Sequence, residues 1–221
     1  RQSLRDGLQP VHMPEESIRL MLITGKMFNP FYFTPLSIWL KKEELNYERI
    51  YEEIKIFGRK PVIIKDFVKS CKDRWEEACF IPDPSDKDQV KKVVDRFLEL
   101  QGDDLNEGLV IREFVKLEFL SLCSKSAMPL SKEFRIFILD GKPLLILNYW
   151  DEGDYGEVLP DLSNFLQVAE KIKSRFFSMD IAVKEGGEPV IIEPGDGQVA
   201  GLPEKADVRD FYKKITELMR R

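Results

Sequence analysis

Phe177-Ser178-Met179-Asp180-Ile181-Ala182-Val183 and Val190-Ile191-Ile192-Glu193-Pro194-Gly195-Asp196-Gly197-Gln198 are two β-rich runs on either side of Glu185-Gly186-Gly187-Glu188. The Gly pair reads as a hairpin turn, because glycine enters the positive-φ conformations that such turns need. The first run holds Asp180 among apolar residues, and the second ends in Glu193 and Asp196 with glycines beside them. An acid inside an apolar strand is costly unless a cation or hydrogen bonds compensate it. Carboxylates gathered at one end of a hairpin suit Mg²⁺, which takes oxygen ligands and is often shared with a nucleotide's phosphates. The glycines let backbone approach a ligand closely. Solvated acids at strand ends produce the same pattern, so the hairpin alone leaves both readings open.

Outward from this hairpin the chain keeps a strand-rich character. Phe134–Leu139 and Leu144–Tyr149 flank Asp140-Gly141, a second hairpin turn. Gly108–Val115 reads as another strand, and Pro61-Val62-Ile63-Ile64-Lys65 as a short buried one ending in a lysine. A helix is expected over 43–57, with Leu45, Ile50, Ile54 and Phe57 on one face and Gly58 closing it. Asp86 or Asp88 caps a second, which carries Val90, Val93, Val94, Phe97 and Leu98 as far as Gln101 and stops at Gly102. Further helices are expected over 161–175 and from Ala206 to Met219, while 66–85 reads as loop, broken by Pro82 and Pro84. The order of elements is α+β with a mainly antiparallel sheet.

With 221 residues, 43% of them hydrophobic, the chain has enough apolar material for one large domain or two small ones. A net charge of −5 gives no strong positive field, which disfavours a general nucleic-acid binder and leaves open a local basic groove. The one histidine, His12, excludes multi-histidine metal sites and argues against a histidine base. Cys71, Cys79 and Cys123 are odd in number and lack a paired C-x-x-C, which favours free thiols in a reducing, cytoplasmic setting. No apolar run reaches the roughly 20 residues that span a bilayer, so no membrane partner is expected. The chain starts at Arg1 rather than Met, which suggests that an N-terminal piece has been removed.

Several side chains stand where chemistry could use them. Lys65 ends an apolar strand, where an anion such as a nucleotide phosphate would compensate it; a lysine head in water is the plainer alternative. Arg112-Glu113-Phe114-Val115, followed by Glu118, resembles a hinge strand whose backbone pairs with an adenine edge while a nearby acid holds the ribose; a surface Arg112–Glu113 pair is the alternative. Glu133 and Arg135 alternate with Phe134 and Ile136, so both face away from the aromatic side. An arginine there suits a bidentate phosphate contact or a structural ion pair. There is no G-x-x-x-x-G-K-[ST], no G-x-G-x-x-G, no H-R-D and no D-F-G. Lys65-Asp66-Phe67-Val68 is not the K-x-D-G of a nucleotidyl-transferring ligase.

The order of these pieces is more specific than any one of them: strand lysine, helix, hinge strand with an acid, arginine strand, then a hairpin with Asp and Glu. It resembles the ATP-grasp superfamily, and within it the divergent clade named for two arginines and one lysine, which includes the eukaryotic cell division cycle protein 123 family. The similarity spans residues 34–203 and is carried by Thr34–Trp39, Val62–Lys65, Leu109–Phe114, Glu133–Phe137, Met179–Ala182 and, most specifically, Glu193–Pro203. Other ATP-grasp metal strands end in Glu-x-Asn; here the run is Glu193-Pro194-Gly195-Asp196.

The resemblance implies an α+β ATP-grasp fold whose two subdomains, with mainly antiparallel sheets, clasp ATP. It implies a lead-in, or the remnant of a preceding subdomain, over 1–33, an N-terminal lobe over 34–105 and a C-terminal lobe over 106–221 with the metal hairpin. Lys65, Arg112 and Arg135 would be the catalytic cations. Lys65, Lys69, Arg112, Glu113, Phe114, Val115 and Glu118 would bind ATP, and Asp180, Glu193 and Asp196 would hold Mg²⁺. Members of the superfamily activate a carboxylate as an acyl-phosphate for attack by an amine, and the clade suggests protein or peptide substrates. The alternative is an ATP-binding assembly factor, chaperone-like, that performs no ligation.

Overall fold

The computed structural model describes residues 33–68, 70–125, 128–157 and 159–220. The expectations for the lead-in, for His12 and for Lys69 lie outside the described residues. The described chain separates into two units, with Pro35–Val115 forming the N-terminal one. Phe33, Thr34 and the residues from Lys116 onward form the C-terminal one.

In the N-terminal unit, strands β1 (Ser37–Lys41), β2 (Val62–Lys65), β3 (Phe80–Ile81) and β4 (Gly108–Glu113) form an antiparallel sheet of order β1-β4-β2-β3. Helices α1 (Tyr47–Ile54), α2 (Trp75–Ala78) and α3 (Lys87–Gln101) connect them. The helix expected over 43–57 is regular only in its middle, where the Asn46 side chain accepts the Arg49 N–H; 3₁₀ turns flank it, and Gly58 ends it at φ 60°. Asp86, not Asp88, caps α3, accepting the N–H groups of Asp88 and Gln89. Ile38, Leu40, Val62, Ile64, Leu109 and Ile111 share one sheet face with Ile50 and Ile54 of α1 and Val90, Val94 and Phe97 of α3. The segment expected as loop over 66–85 contains α2 and β3, which are too short to show periodicity. β3 exists because Phe80 and Ile81 pair with Ile63 and Val62.

The sequence groups the strand at 108–115 with the C-terminal lobe; in the structure β4 lies between β1 and β2, so it belongs to the N-terminal sheet. Strand partners are long-range choices that the strand's own residues do not encode.

In the C-terminal unit, a ribbon of β5 (Phe119–Leu122) and β6 (Pro129–Ser131) comes first. Strands β7 (Glu133–Leu139), β8 (Lys142–Asn148), β9 (Phe176–Val183) and β10 (Pro189–Asp196) then form an antiparallel sheet of order β10-β9-β7-β8. Helix α4 (Ser163–Ala169) packs Phe165 and Ala169 on the face of Ile136, Ile138, Phe177, Met179 and Ile181. Helix α5 (Val208–Met219) packs Phe211 and Ile215 on the other face, against Phe137, Leu139 and Phe176. Asp140 and Gly141 turn β7 into β8 at φ 50° and 75°. α4 is shorter than the expected 161–175: the chain turns directly after Ala169, and Arg175 is tied to the β7–β8 turn, its carbonyl accepting the Asp140 N–H and its side chain pairing with the Asp140 carboxylate.

Candidate functional site

β9 is buried along its whole length, and Asp180 lies at its middle, 7% exposed. Register places Arg135 of β7 opposite it on one side and Glu193 of β10 on the other. Antiparallel partners share a face, so Glu193, Asp180 and Arg135 form a transverse row on the face that carries α5 at its other end. The row depends on an irregularity. The pairing passes from Ile191–Ile181 directly to Glu193–Asp180, leaving Ile192 as the extra residue of a bulge. Without it, Glu193 would fall opposite Met179 and point to the other face.

Arg135 holds Asp180 bidentately, with Nε and Nη2 each donating at 2.8 Å to one carboxylate oxygen. Its Nη1 donates at 2.7 Å to the Gly201 carbonyl, and its guanidinium lies 4.7 Å from the centre of the Tyr149 ring. Burial pushes the Asp180 carboxyl above its ordinary value; the Arg135 hydrogen bonds pull it back in part, and the Glu193 charge adds to the push. The bonds to Asp180 push the Arg135 guanidinium up, against burial. Tyr149 is raised mainly by burial and then by Asp180. Two neighbouring carboxylates, Asp180 buried and Glu193 open to solvent, favour a cation that can enter from the exposed side.

Asp196 is opposite Phe177, three register positions beyond Glu193, so strand alternation sends it to the other face. Its Oδ1 accepts the Gln198 N–H. Among the described residues no three His, Cys, Asp or Glu side chains form a ready metal cluster. Asp180 and Glu193 remain a fitting pair for Mg²⁺, which commonly takes one or two carboxylates and completes its shell with water and phosphate.

In the N-terminal unit, register puts Lys65 opposite Val110, and Arg112 opposite both Ile63 and Ser37. Lys65 and Arg112 are therefore diagonal neighbours on the sheet face turned away from α1 and α3. Arg112 Nε donates to Ser37 Oγ at 3.1 Å. Glu113 points to the other face, where Lys60 meets it at 3.0 Å, so the surface Arg112–Glu113 pairing does not form. The N–H groups of Glu113 and Phe114 already donate to the Leu36 and Pro61 carbonyls, both at 2.8 Å. An adenine edge on this segment would meet carbonyl oxygens or Val115. Glu118 lies in the C-terminal unit, its N–H bonded to the Val183 carbonyl and its carboxylate 3.4 Å from Lys132 Nζ.

Residues 54–215 match the model of an ATP-grasp domain family, the third family of the clade named for two arginines and one lysine. The chain belongs to this family. Solved structures with the same fold include the ATP-grasp ligase PsnB with a minimal precursor (TM-score 0.52, 13% identity, 95% of this chain and 61% of PsnB). They include the macrocyclase MdnC of Microcystis aeruginosa with its precursor peptide MdnA (0.53, 12%, 96% and 63%). A RimK domain ATP-grasp protein of Sphaerobacter thermophilus is a third (0.51, 13%, 92% and 63%). At such identities the likeness is one of fold. This ATP-grasp domain spans only 61% to 63% of their lengths. No curated protein sequence matches it.

The structure adds residues to this ATP-grasp domain's candidate site that sequence reasoning did not single out. Tyr149 and Gly201 come to Arg135 from positions 14 and 66 residues away, with no spacing to announce them. Trp75, Phe80 and Phe114 form an aromatic cluster at the end of β4, with Trp75 and Phe80 stacked at 5.2 Å and Phe114 edge-on to both. Phe114 is one of the residues the sequence picks out in this segment; its ring partners depend on α2 and β3. The described cysteines are all free, and burial pushes the Cys79 thiol up to about 11, which makes it a poor nucleophile. No helix among the described residues is long and apolar enough to cross a membrane.

Proposed function

We propose that this ATP-grasp domain belongs to a Mg·ATP-dependent ligase that joins a carboxylate to an amine, with a peptide or protein among its substrates. The observation that carries the proposal is the Glu193–Asp180–Arg135 row, a charged constellation built across the fully buried strand β9 and brought into line by the Ile192 bulge. Membership of the ATP-grasp family supports the nucleotide. Complexes of PsnB with Mg and ADP, and with precursor peptide and AMPPNP, support the metal and the substrate class.

On this reading Lys65 and Arg112 of the N-terminal unit contact phosphate oxygens, Arg135 balances the transferred phosphoryl group, and the segment Glu113–Val115 with Glu118 contacts the nucleoside. Lys69 is a further phosphate contact. Asp180 and Glu193 hold Mg²⁺, while Asp196, on the other face of the sheet, lies outside this pair. The metal, when bound, neutralises phosphate charge. A substrate carboxylate oxygen attacks the γ-phosphorus, and the bond to ADP breaks. The amine nitrogen then attacks the acyl carbon, phosphate leaves, and the amine's proton passes to solvent. Placement and charge compensation suffice for this chemistry, in keeping with a site without histidine. Three free thiols support a reducing compartment, the cytoplasm.

Calorimetric titration of ATP with and without Mg²⁺, on the wild type and Glu193→Gln, tests the proposal. Mg²⁺-dependent binding that the substitution abolishes is the expected result. Binding by neither protein would sink it. Binding without acceptor-dependent ADP release would favour the non-ligating assembly factor.

A further inference from the structure

Arg135 has donors on three nitrogens, and Asp180 takes two of them. The third reaches the Gly201 carbonyl. Because the guanidinium is a rigid planar fork, the position of that carbonyl helps to set its orientation. Gly201 is exposed, and a Cβ built on it would meet nothing within 4 Å, so steric fit does not hold this point of the chain. Its neighbours are held instead. Leu202 and Ala200 rest on the cluster of Phe137, Phe176 and Phe211. Beyond them, Asp151 accepts two consecutive backbone N–H groups, from Glu204 through Oδ2 and from Lys205 through Oδ1, both at 2.9 Å. Lys205 Nζ returns a hydrogen bond to the Asp151 carbonyl.

Asp151 also lies two residues after Tyr149, whose ring stacks on the guanidinium. The short run Tyr149-Trp150-Asp151 thus reaches Arg135 by two routes, directly through the ring and indirectly through 201–205. A carboxylate that anchors a loop through two main-chain donors 53 and 54 residues away restrains that loop far more than apolar contact alone does.

We propose that Asp151 is a positioning residue for Arg135, acting through the Gly201–Lys205 segment to hold the guanidinium against Asp180 in the geometry that receives the nucleotide's phosphates. This rests on the Mg·ATP reading for the ligand, whereas the clamp itself does not need it. Two readouts therefore separate the failures.

The first is the ¹⁵N–¹H signal of the Arg135 Nε–H, observed without nucleotide in the wild type, Asp151→Ala and Asp151→Asn. Loss or broadening of this signal in Asp151→Ala, with partial retention in Asp151→Asn, is expected, because asparagine keeps one acceptor oxygen. An unchanged signal in both variants overturns the proposal whether or not ATP binds. The second is Mg·ATP affinity in a double-mutant cycle with Arg135→Ala. Asp151→Ala should weaken binding on the order of tenfold in the wild-type background and hardly at all once Arg135 is removed. Equal weakening in both backgrounds would show that Asp151 acts independently of Arg135 and would overturn the proposal. If wild type binds no Mg·ATP, the ligase reading fails and the Nε–H signal alone decides the clamp. Should Asp151→Ala not fold, Asp151→Asn carries both measurements.

Discussion

The two four-stranded sheets are alike in size and in antiparallel pairing, yet they carry charge differently. In β2 of the N-terminal unit, Val62 and Ile64 are buried, while Ile63 and Lys65 are half-buried. In β9 of the C-terminal unit every residue from Phe176 to Val183 is buried, because α4 packs on one face and α5 on the other. A half-covered strand leaves water within reach of a lysine at its end. A fully covered strand does not accommodate an acid on those terms, and Asp180 accordingly meets a bidentate arginine. The row that supplies the candidate chemistry is thus also the row on which the C-terminal sheet depends.

The largest expected effect breaks that pair. Asp180→Ala leaves Arg135, only 16% exposed, without its carboxylate and should cost about 3 kcal/mol in urea unfolding. A loss under about 1 kcal/mol would mean that water solvates Arg135 and that the two sheets do not differ in this respect.

Next come two glycines that test how tightly each sheet is closed. A Cβ on Gly108, at φ 157°, would stand 2.1 Å from the Leu40 carbonyl oxygen of the neighbouring strand, which cannot yield without moving the ladder. Gly108→Ala should cost about 2 kcal/mol. A Cβ on Gly195 would meet Ser178 Oγ at 2.7 Å, and that hydroxyl can rotate away. Gly195→Ala should therefore stay within about 1 kcal/mol, and a reversed order in thermal melts would refute this account of the two ladders.

The smallest effect concerns the exposed pair Arg175–Asp140 at the β7–β8 turn. The Arg175 hydrogen bonds hold the Asp140 carboxyl below the usual carboxylate range. A depressed carboxyl contributes stability above its unfolded pKa of about 3.9 and loses it as pH falls through the lower folded value. Both side chains are largely solvated, so Asp140→Asn should cost less than about 0.5 kcal/mol at neutral pH, and the gap should close in acid. A gap that persists undiminished in acid would assign the effect to the turn backbone instead.

Legibility in the sequence followed the range of the interaction. A cap at Asp86 or Asp88, the Gly58 and Gly102 stops, the Asp140-Gly141 turn and the apolar stripes of α1 and α3 are local, and each was visible from a few neighbouring residues. So was the alternation that sends Glu133 and Arg135 to one face of β7. The ATP-grasp resemblance was visible for a related reason, since it rests on the order of short motifs along the chain. β1, β3, β5 and β6 were not visible. They are brief, and their backbone groups are satisfied by partners tens of residues away or across a ribbon.

The sequence by itself determined the α+β class, the family, the acidic hairpin and the separate presence of Lys65, Arg112, Arg135, Asp180 and Glu193. Tertiary structure alone decided which of them meet. β4 joined the N-terminal sheet and set Arg112 and Lys65 on one face. The Ile192 bulge turned Glu193 toward Asp180 and left Asp196 on the other side. Asp151 and Gly201 reached the surroundings of Arg135 through backbone hydrogen bonds that any residue type at 201, 204 and 205 other than proline at the two donors could make. Register and bulges arise from pairing over the whole sheet, where a one-residue slip reverses every side chain, and no local stretch carries that information.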